Sequence, residues 1–378
     1  MAATTVQAIT VVPLPPHDTK GFITFPWQVY AGDPYWVPPL VFDRKAFLNP
    51  RKNPFFQHAQ VQLFLARAGD TPVGRIAAVI NQAHDRYHNE RAGFFGLFEC
   101  LPDVNVAQAL FAAAAAWVRE RGATFLRGPV NLSTNELDCG LLIEGFCAVP
   151  IFHSAYNPPY YAALIEACGF TKCMDLLAFY IYKHPSPSAR IERIVAHQQA
   201  RRHLTVRPIN MRDFVTDVGH IAAIYNDAWS DNWGFVPITD AEARHMAKEL
   251  KLAVIPELTL LVELNGEPVG CAVALPDLNQ VLHRMHGRLT PWGLLRLLTH
   301  RRRATMVRVA LAGVKQRYRR LGIDLLLYTE IWKRGPNRGM GHAEAAWILE
   351  DNILIIKAME ALGGIANKRY RLYQKALL

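Results

Sequence analysis

The sequence predicts an α+β fold used twice in tandem, each copy a mixed, mostly antiparallel sheet flanked by helices. Three observations carry this. A chain of 378 residues is long for a single core. Its two halves present the same order of strand-like and helix-like segments. Between them, His184-Pro185-Ser186-Pro187-Ser188 clusters the residues that mark loops. The expected domains are 1–183 and 205–378, joined by a linker with a polar helix over 184–204.

The elements follow in order. Residues 61–68 are strand-like, Gly69-Asp70 is a turn signal, and 73–80 form the returning strand. In the second half 258–264, Asn265-Gly266 and 269–275 repeat this hairpin. Each half then has an apolar strand, 92–98 or 306–314, followed by a helix, the first over 104–121 and rich in Ala, the second over 323–333. Each closes with a strand, a helix ending in glycine, and a last strand. These are 125–130, 160–168 and 176–182 in the first half, and 342–349, 352–362 and 370–376 in the second.

Composition narrows the class. Hydrophobic residues at 51% and charged residues at 20% describe a packed globular protein. No apolar run is long enough to cross a bilayer, and the first twenty residues lack the basic start and apolar stretch of a secretory leader. Six scattered cysteines without C-x-x-C spacing fit reduced thiols in the cytoplasm and no zinc or other metal site. The net charge of +10 is concentrated: residues 278–323 contain no Asp or Glu, but ten Arg and Lys315. Such a block is a footprint for an anionic partner. Nucleic acid is not expected, because Tyr318 and Trp292 are too few stacking groups among these cations.

Chemistry surfaces where strand 306–314 runs through Lys315-Gln316-Arg317-Tyr318-Arg319-Arg320-Leu321-Gly322-Ile323-Asp324 into a helix. Backbone N–H groups at a helix start carry partial positive charge, and glycine allows close approach of a phosphate. The cations Lys315, Arg317, Arg319 and Arg320 add charge-assisted bonds.

With this turn the chain resembles the GCN5-related N-acetyltransferase superfamily, whose pyrophosphate turn reads Q/R-x-x-G-x-G/A. Arg319, Leu321, Gly322 and Ile323 match it, and Asp324 departs from it. The resemblance implies acyl-CoA as co-substrate, acetyl-CoA or a fatty acyl-CoA. It implies that Leu311, Ala312 and Gly313 pair with the pantetheine arm, and that Asn352 starts the next helix. The tyrosine that usually protonates the CoA thiolate is replaced by Met359, so Tyr370 or Tyr373 is the expected substitute. The first half resembles the superfamily more faintly, through Asn157 and Gly169-Phe170. Its turn at 100–105 has neither glycine nor basic residue and should hold no pyrophosphate. The tandem arrangement is also similar to a bacterial group of which some members are ceramide synthases, joining a fatty acyl-CoA to a sphingoid amine.

N-acylation needs an amine free of its proton, and a carboxylate can accept that proton. Glu350, closing strand 342–349, is the first candidate base; N-terminal dipole compensation for the next helix is its competing role. Glu344 is a weaker candidate, and Glu99 ends the equivalent strand of the first half. The polar residues Asn131, Ser133, Asn135, Glu136 and Asp138 follow a strand and suggest ligand contacts or a solvated loop, and the aromatic stretch 229–235 an acceptor channel or core plugs. Segment 289–303 reads as a helix capped by Thr290 with Pro291 first. Arg296, His300 and Arg303 are expected on one side, opposite Trp292 and four leucines. That pattern suits contact with an anionic membrane as well as a helix docked on its own domain. The expected activity is acyl transfer from CoA to an amine, with a lipid amine acceptor favoured. A small polar amine acceptor, or a binding module without catalysis, is the alternative.

Overall fold

The structure, a computed structural model, describes residues 8–136, 138–182, 192–193, 195–197, 199, 203–251, 253–300 and 303–377. Most of the expected linker over 184–204 lies outside them. The chain divides into two compact units. The first comprises Met1–Asp175, His286–Arg288 and Tyr370–Leu378; the second comprises Leu176–Met285 and Leu289–Arg369.

In the first unit β1 (Ile9–Leu14), β2 (Ala59–Ala68), β3 (Thr71–Asn81) and β4 (Ala92–Cys100) pair antiparallel in sequence order. β5 (Phe125–Gly128) then joins β4 in parallel. The far edge is closed by residues 373–376 of the C-terminal strand β13 (Ile365–Ala376), antiparallel to β5, while β6 (Leu141–Glu144) also pairs with β13. The helix Val104–Arg119 covers one face. Val106, Leu110, Ala114 and Val118 recur at helical spacing and are buried against Phe95, Leu126 and Ile76. Leu110 is fully buried, and truncating such a side chain to Ala costs about 2–5 kcal/mol.

The second unit has the strand order β7–β12–β11–β10–β9–β8. Only residues 176–181 of β7 (Thr171–Ile181) belong to it. β8 (Leu204–Pro208), β9 (Thr259–Leu264), β10 (Glu267–Pro276) and β11 (Met306–Val314) pair antiparallel. β12 (His342–Leu349) is parallel to β11 and antiparallel to β7. Helices Ile323–Arg334 and Ile353–Ala361 pack on one face through Ile323, Leu326, Leu327 and Met359. Phe214 and Ala247, from helices Phe214–Ala228 and Asp240–Leu250, pack on the other beside Val273, Leu275 and Leu311. The second of those helices starts with a capping box between Thr239 and Glu242.

Both hairpins, β11, β12 and the Ala-rich helix fall where periodicity and turn residues place them. Strands β1, β6 and β8 and the pair of helices before β9 were not expected. The units also divide the chain differently from the expected domains, because β7 and β13 each run from one unit into the other. Both strands are longer than expected, starting at Thr171 and Ile365. All six cysteines are free. Among the described residues no helix is long and apolar enough to cross a membrane, and no cluster of side chains suits a metal.

Candidate active site

The second unit contains a place where its sheet comes apart. β11 and β12 pair from Met306↔His342 to Val309↔Ala345 and no further. On its other side β11 stays in register with β10 as far as Gly270↔Val314, with an irregularity at Val273/Ala274 that leaves Ala310 over as an extra residue. A bulge bends its strand and ends regular pairing on one side. Residues 310–313 therefore have no strand partner toward β12. Buried backbone amides need partners, and an extended ligand bearing amides supplies them. Gly313 lies under the Trp229 ring, where an added Cβ would be 2.2 Å from ring carbons.

β11 leads straight to a helix N-terminus. The Lys315 amide donates to the Val269 carbonyl at 2.9 Å as the ladder ends. A single 3-10 turn, Gln316–Tyr318, follows, and Arg320 and Gly322 then adopt left-handed backbone angles, φ 66° and 76°. Gly322 caps the helix Ile323–Arg334 without a side chain of its own. The first amides of that helix have no carbonyl to bind within it and face outward with the positive end of the dipole. Ile323 turns its side chain into the core, so only its backbone is available to a ligand, and Asp324 is exposed in the first turn.

The basic side chains are arranged otherwise than expected. Lys315 and Arg317 both bind Glu267, the first at 3.0 Å, and the Tyr318 hydroxyl donates to the same carboxylate at 2.7 Å. These bonds, from Tyr318 first and then Lys315 and Arg317, hold the Glu267 carboxyl down at about 2. Arg319 donates to the Ala228 carbonyl. Of the four cations beside the turn, Arg319 and Arg320 are exposed without an ion pair among the described residues, and Arg320 also lacks a side-chain hydrogen bond there. Gln316 fastens the turn to the aromatic stretch through Asp227, Ser230 and Asp231.

The first unit has the same strand pair but closes it with its own chain. β4 and β5 pair only over Ala92–Phe94 against Phe125–Arg127. Beyond that, the Val130 amide donates to the Phe95 carbonyl at 2.7 Å, and the Asn131 side chain accepts from the Leu97 amide at 2.8 Å. The Cys100 amide donates to the Tyr161 hydroxyl at 2.9 Å, and Tyr160 donates to the Cys100 carbonyl at 2.7 Å. At the helix start Asp103 accepts from the Asn105 amide at 2.8 Å. A carboxylate of the protein thus sits where an anion would be drawn, and residue 131 belongs to this closure instead of a ligand loop.

The other candidates are dispersed. Glu350 is in the turn after β12, and Asn352 caps the following helix, its side chain accepting from Ile355 at 3.4 Å. Met359 is buried in the core. Tyr373 and Tyr370 belong to the first unit, so neither stands in the unit that contains Gly322. The Tyr373 hydroxyl donates to Glu166 at 2.9 Å in a buried position, a packing role that the local sequence did not disclose. Glu99 accepts from Tyr161 at 2.8 Å and Tyr30 at 2.9 Å and pairs with Arg75 at 3.4 Å. Burial raises its pKa, against those three partners.

A buried polar group that the sequence only hinted at lies at the base of the cleft. Glu344 and Arg308 are register partners one residue short of the point where the strands part, and both are fully buried. Lys368 donates to Glu344 at 2.6 Å and Asn367 at 3.1 Å, and the Arg308 guanidinium is 5.6 Å from the Trp347 ring centre. A lone Arg inside an apolar strand was the available signal for Arg308. Lys368 had none, because only the path of β13 brings it there.

No known protein-family signature matches the chain. A bacterial ceramide synthase from Caulobacter vibrioides is 37% identical to it, with 98% of both proteins covered. Protein YghO of Escherichia coli is 35% identical, over 96% of this chain and 93% of that protein. Among solved structures, a tandem GNAT protein from the clavulanic acid biosynthesis pathway covers 98% of this chain and 99% of its own, with a TM-score of 0.58 at 14% identity. A GCN5-related N-acetyltransferase from Sphaerobacter thermophilus gives 0.52 at 14% identity, covering 98% and 96%.

Proposed function

We infer that this chain, which belongs to the bacterial ceramide synthase family of tandem GCN5-related acyltransferases, moves a fatty acyl group from CoA to the amine of a long-chain lipid base. The observation that carries this is the cleft of the second unit. Its strand edge at 310–313 ends at the uncapped helix start behind Gly322, while the first unit has filled both equivalent places with its own groups. An acyl-CoA fits this frame. Residues 311–313 would meet the amides of its pantetheine arm, and the amides of residues 323–325 with Arg320 would hold its pyrophosphate. Lys315, Arg317 and Arg319 act at second hand, fixing the turn through Glu267 and Ala228.

In the reaction the amine nitrogen forms an amide bond to the acyl carbon, the carbon–sulfur bond breaks, and the thiolate leaves to take a proton. On β12 the carboxylate of Glu344 is buried and bound by Lys368 and Asn367, one residue short of where the strands part. Glu350, beyond the strand end, is the candidate base. Glu99, bound on all sides within the first unit, is assigned to stability. The acid toward the thiolate is not Met359, which has no proton to give, and water is the simplest donor. The cytoplasm is the expected place, with the acceptor taken from a bilayer surface.

The test is release of CoA thiol by the full chain from palmitoyl-CoA and acetyl-CoA, each with sphinganine or a small polar amine. The reading expects turnover with palmitoyl-CoA and sphinganine. Turnover restricted to acetyl-CoA with small amines would replace the acceptor assignment. No turnover and no CoA binding would defeat the enzyme reading altogether.

A further inference from the structure

The segment 289–303 separates β10 from β11 and contains the helix Pro291–His300. Thr290 accepts from the Gly293 amide at 3.0 Å, which fixes the helix start. The helix docks through a narrow side. Gly293 is buried, with Met285 so near that an added Cβ would come within 2.8 Å of it. Leu297 is half-buried, and a His300 ring nitrogen lies 3.2 Å from the Asp277 carbonyl oxygen. Positions 293, 297 and 300 follow one another at i, i+4 and i+7, so they define a single inward stripe.

On the side it shares with Arg296 and Arg303, His300 sits at the inward edge with its ring against the Asp277 carbonyl, and most of the apolar side points out. Trp292 is 75% exposed, Leu295 52%, Leu298 41% and Leu294 38%. Exposed apolar side chains are ordinary when scattered; four on one short helix form a patch that calls for a partner. Arg296 in this helix, Arg303 just beyond it and Arg284 in the turn before it are exposed and make no ion pairs among the described residues. All lie within 278–323, which has no acid. An outward Trp/Leu face bordered by unpaired arginines is complementary to a surface that is apolar beneath and anionic above.

We propose that the helix Pro291–His300 is a membrane-docking element that inserts Trp292, Leu295 and Leu298 into the headgroup region of an anionic bilayer, with Arg284, Arg296 and Arg303 over the lipid phosphates. It gives the lipid-acceptor reading above its place of action. It does not depend on turnover, because docking is measured without substrates.

The experiment is co-sedimentation of the full chain with vesicles of phosphatidylcholine, alone or with 30% phosphatidylglycerol (about one lipid in three being enough to set a surface potential). Binding to the mixed vesicles is expected to be at least tenfold tighter than to phosphatidylcholine alone, and to weaken with salt. Leu295→Asp/Leu298→Asp should lose binding to mixed vesicles by about tenfold or more, while its urea-unfolding midpoint stays at the wild-type value and shows the variant to be folded. Arg296→Glu/Arg303→Glu should lose only the preference for the anionic lipid. Unchanged vesicle binding by the leucine variant would overturn the proposal, as would no binding by the wild type. A wild-type dimer that the leucine variant turns into a monomer would overturn it too, by assigning the face to a second copy. Failure of vesicle binding with intact thiol release leaves the acyl-transfer reading standing; the converse result leaves the docking element standing.

Discussion

Replacing Lys368 by Met should destabilise the second unit less than replacing Glu344 by Gln, and both should cost several kcal/mol. The two side chains are 6% and 1% exposed and 2.6 Å apart. At that separation and an effective dielectric near 20, their attraction is about 6 kcal/mol before desolvation is counted. Desolvation offsets much of it, but removing one partner leaves the other charge buried, which typically costs about 3–5 kcal/mol. The two losses are unequal because of Arg308, the buried register partner of Glu344. Without Lys368, Glu344 keeps the Asn367 amide, with Arg308 opposite it in the strand register. Without the Glu344 charge, Lys368 and Arg308 remain as two buried cations with one fewer anion. Lys368→Met is thus expected at the low end, about 3 kcal/mol, and Glu344→Gln at the high end, about 5 kcal/mol. The double variant should recover part of the loss, as isosteric replacement of a buried pair is often tolerated. Urea unfolding followed by tryptophan fluorescence reads each value. A larger loss for Lys368→Met than for Glu344→Gln, or a loss below about 1 kcal/mol for both, would refute the account of this pair as the anchor at the base of the cleft.

Three further outcomes are expected. Gly322→Trp puts a bulky side chain at a left-handed position directly before the uncapped amides, so acyl-CoA affinity by calorimetry should fall at least tenfold; an unchanged affinity removes this turn from the cofactor site. Glu350→Gln should lower kcat by about 10²–10⁴ with acyl-CoA affinity intact, and a kcat within threefold of wild type would exclude Glu350 as base. Acid should weaken both units. Burial opposes the charge on Asp217, but Arg207 at 2.7 Å and the Asn210 amide overcome it and hold this carboxyl below its usual range; Arg371 and Lys172 do the same for Asp175. A lowered folded pKa gives stability that is present above about pH 4 and is lost as pH falls through the folded value. Melting temperature against pH from 7 to 3 should drop below about pH 4, with a shallower fall in Asp217→Asn; an equal slope in that variant would discount the pair.

The sequence by itself determined the parts. Val269 to Leu275 and its partner strand follow from alternation around Asn265-Gly266, and the start of the helix Pro291–His300 follows from Thr290 and Pro291. The candidate turn follows from a glycine between an apolar strand and a helix. Each of these depends on neighbours a few residues away, so each is written locally. Tertiary structure decided what the parts do. Tyr373 looked available for chemistry, yet the path of β13 through both units puts it in the first core against Glu166. Lys315 and Arg317 stand beside the turn in sequence, but it is β10 that brings Glu267 to both of them. Asn131 looked like part of a polar loop until its side chain was found on the Leu97 amide, closing the first cleft. Whether Trp292, Leu295 and Leu298 face in or out is not in the helical repeat, which gives two faces but not the one that docks. That choice was made by Gly293, Leu297 and His300, through contacts with Met285 and Asp277. Long-range pairing fixes such outcomes, and it depends on which surfaces the whole chain brings together.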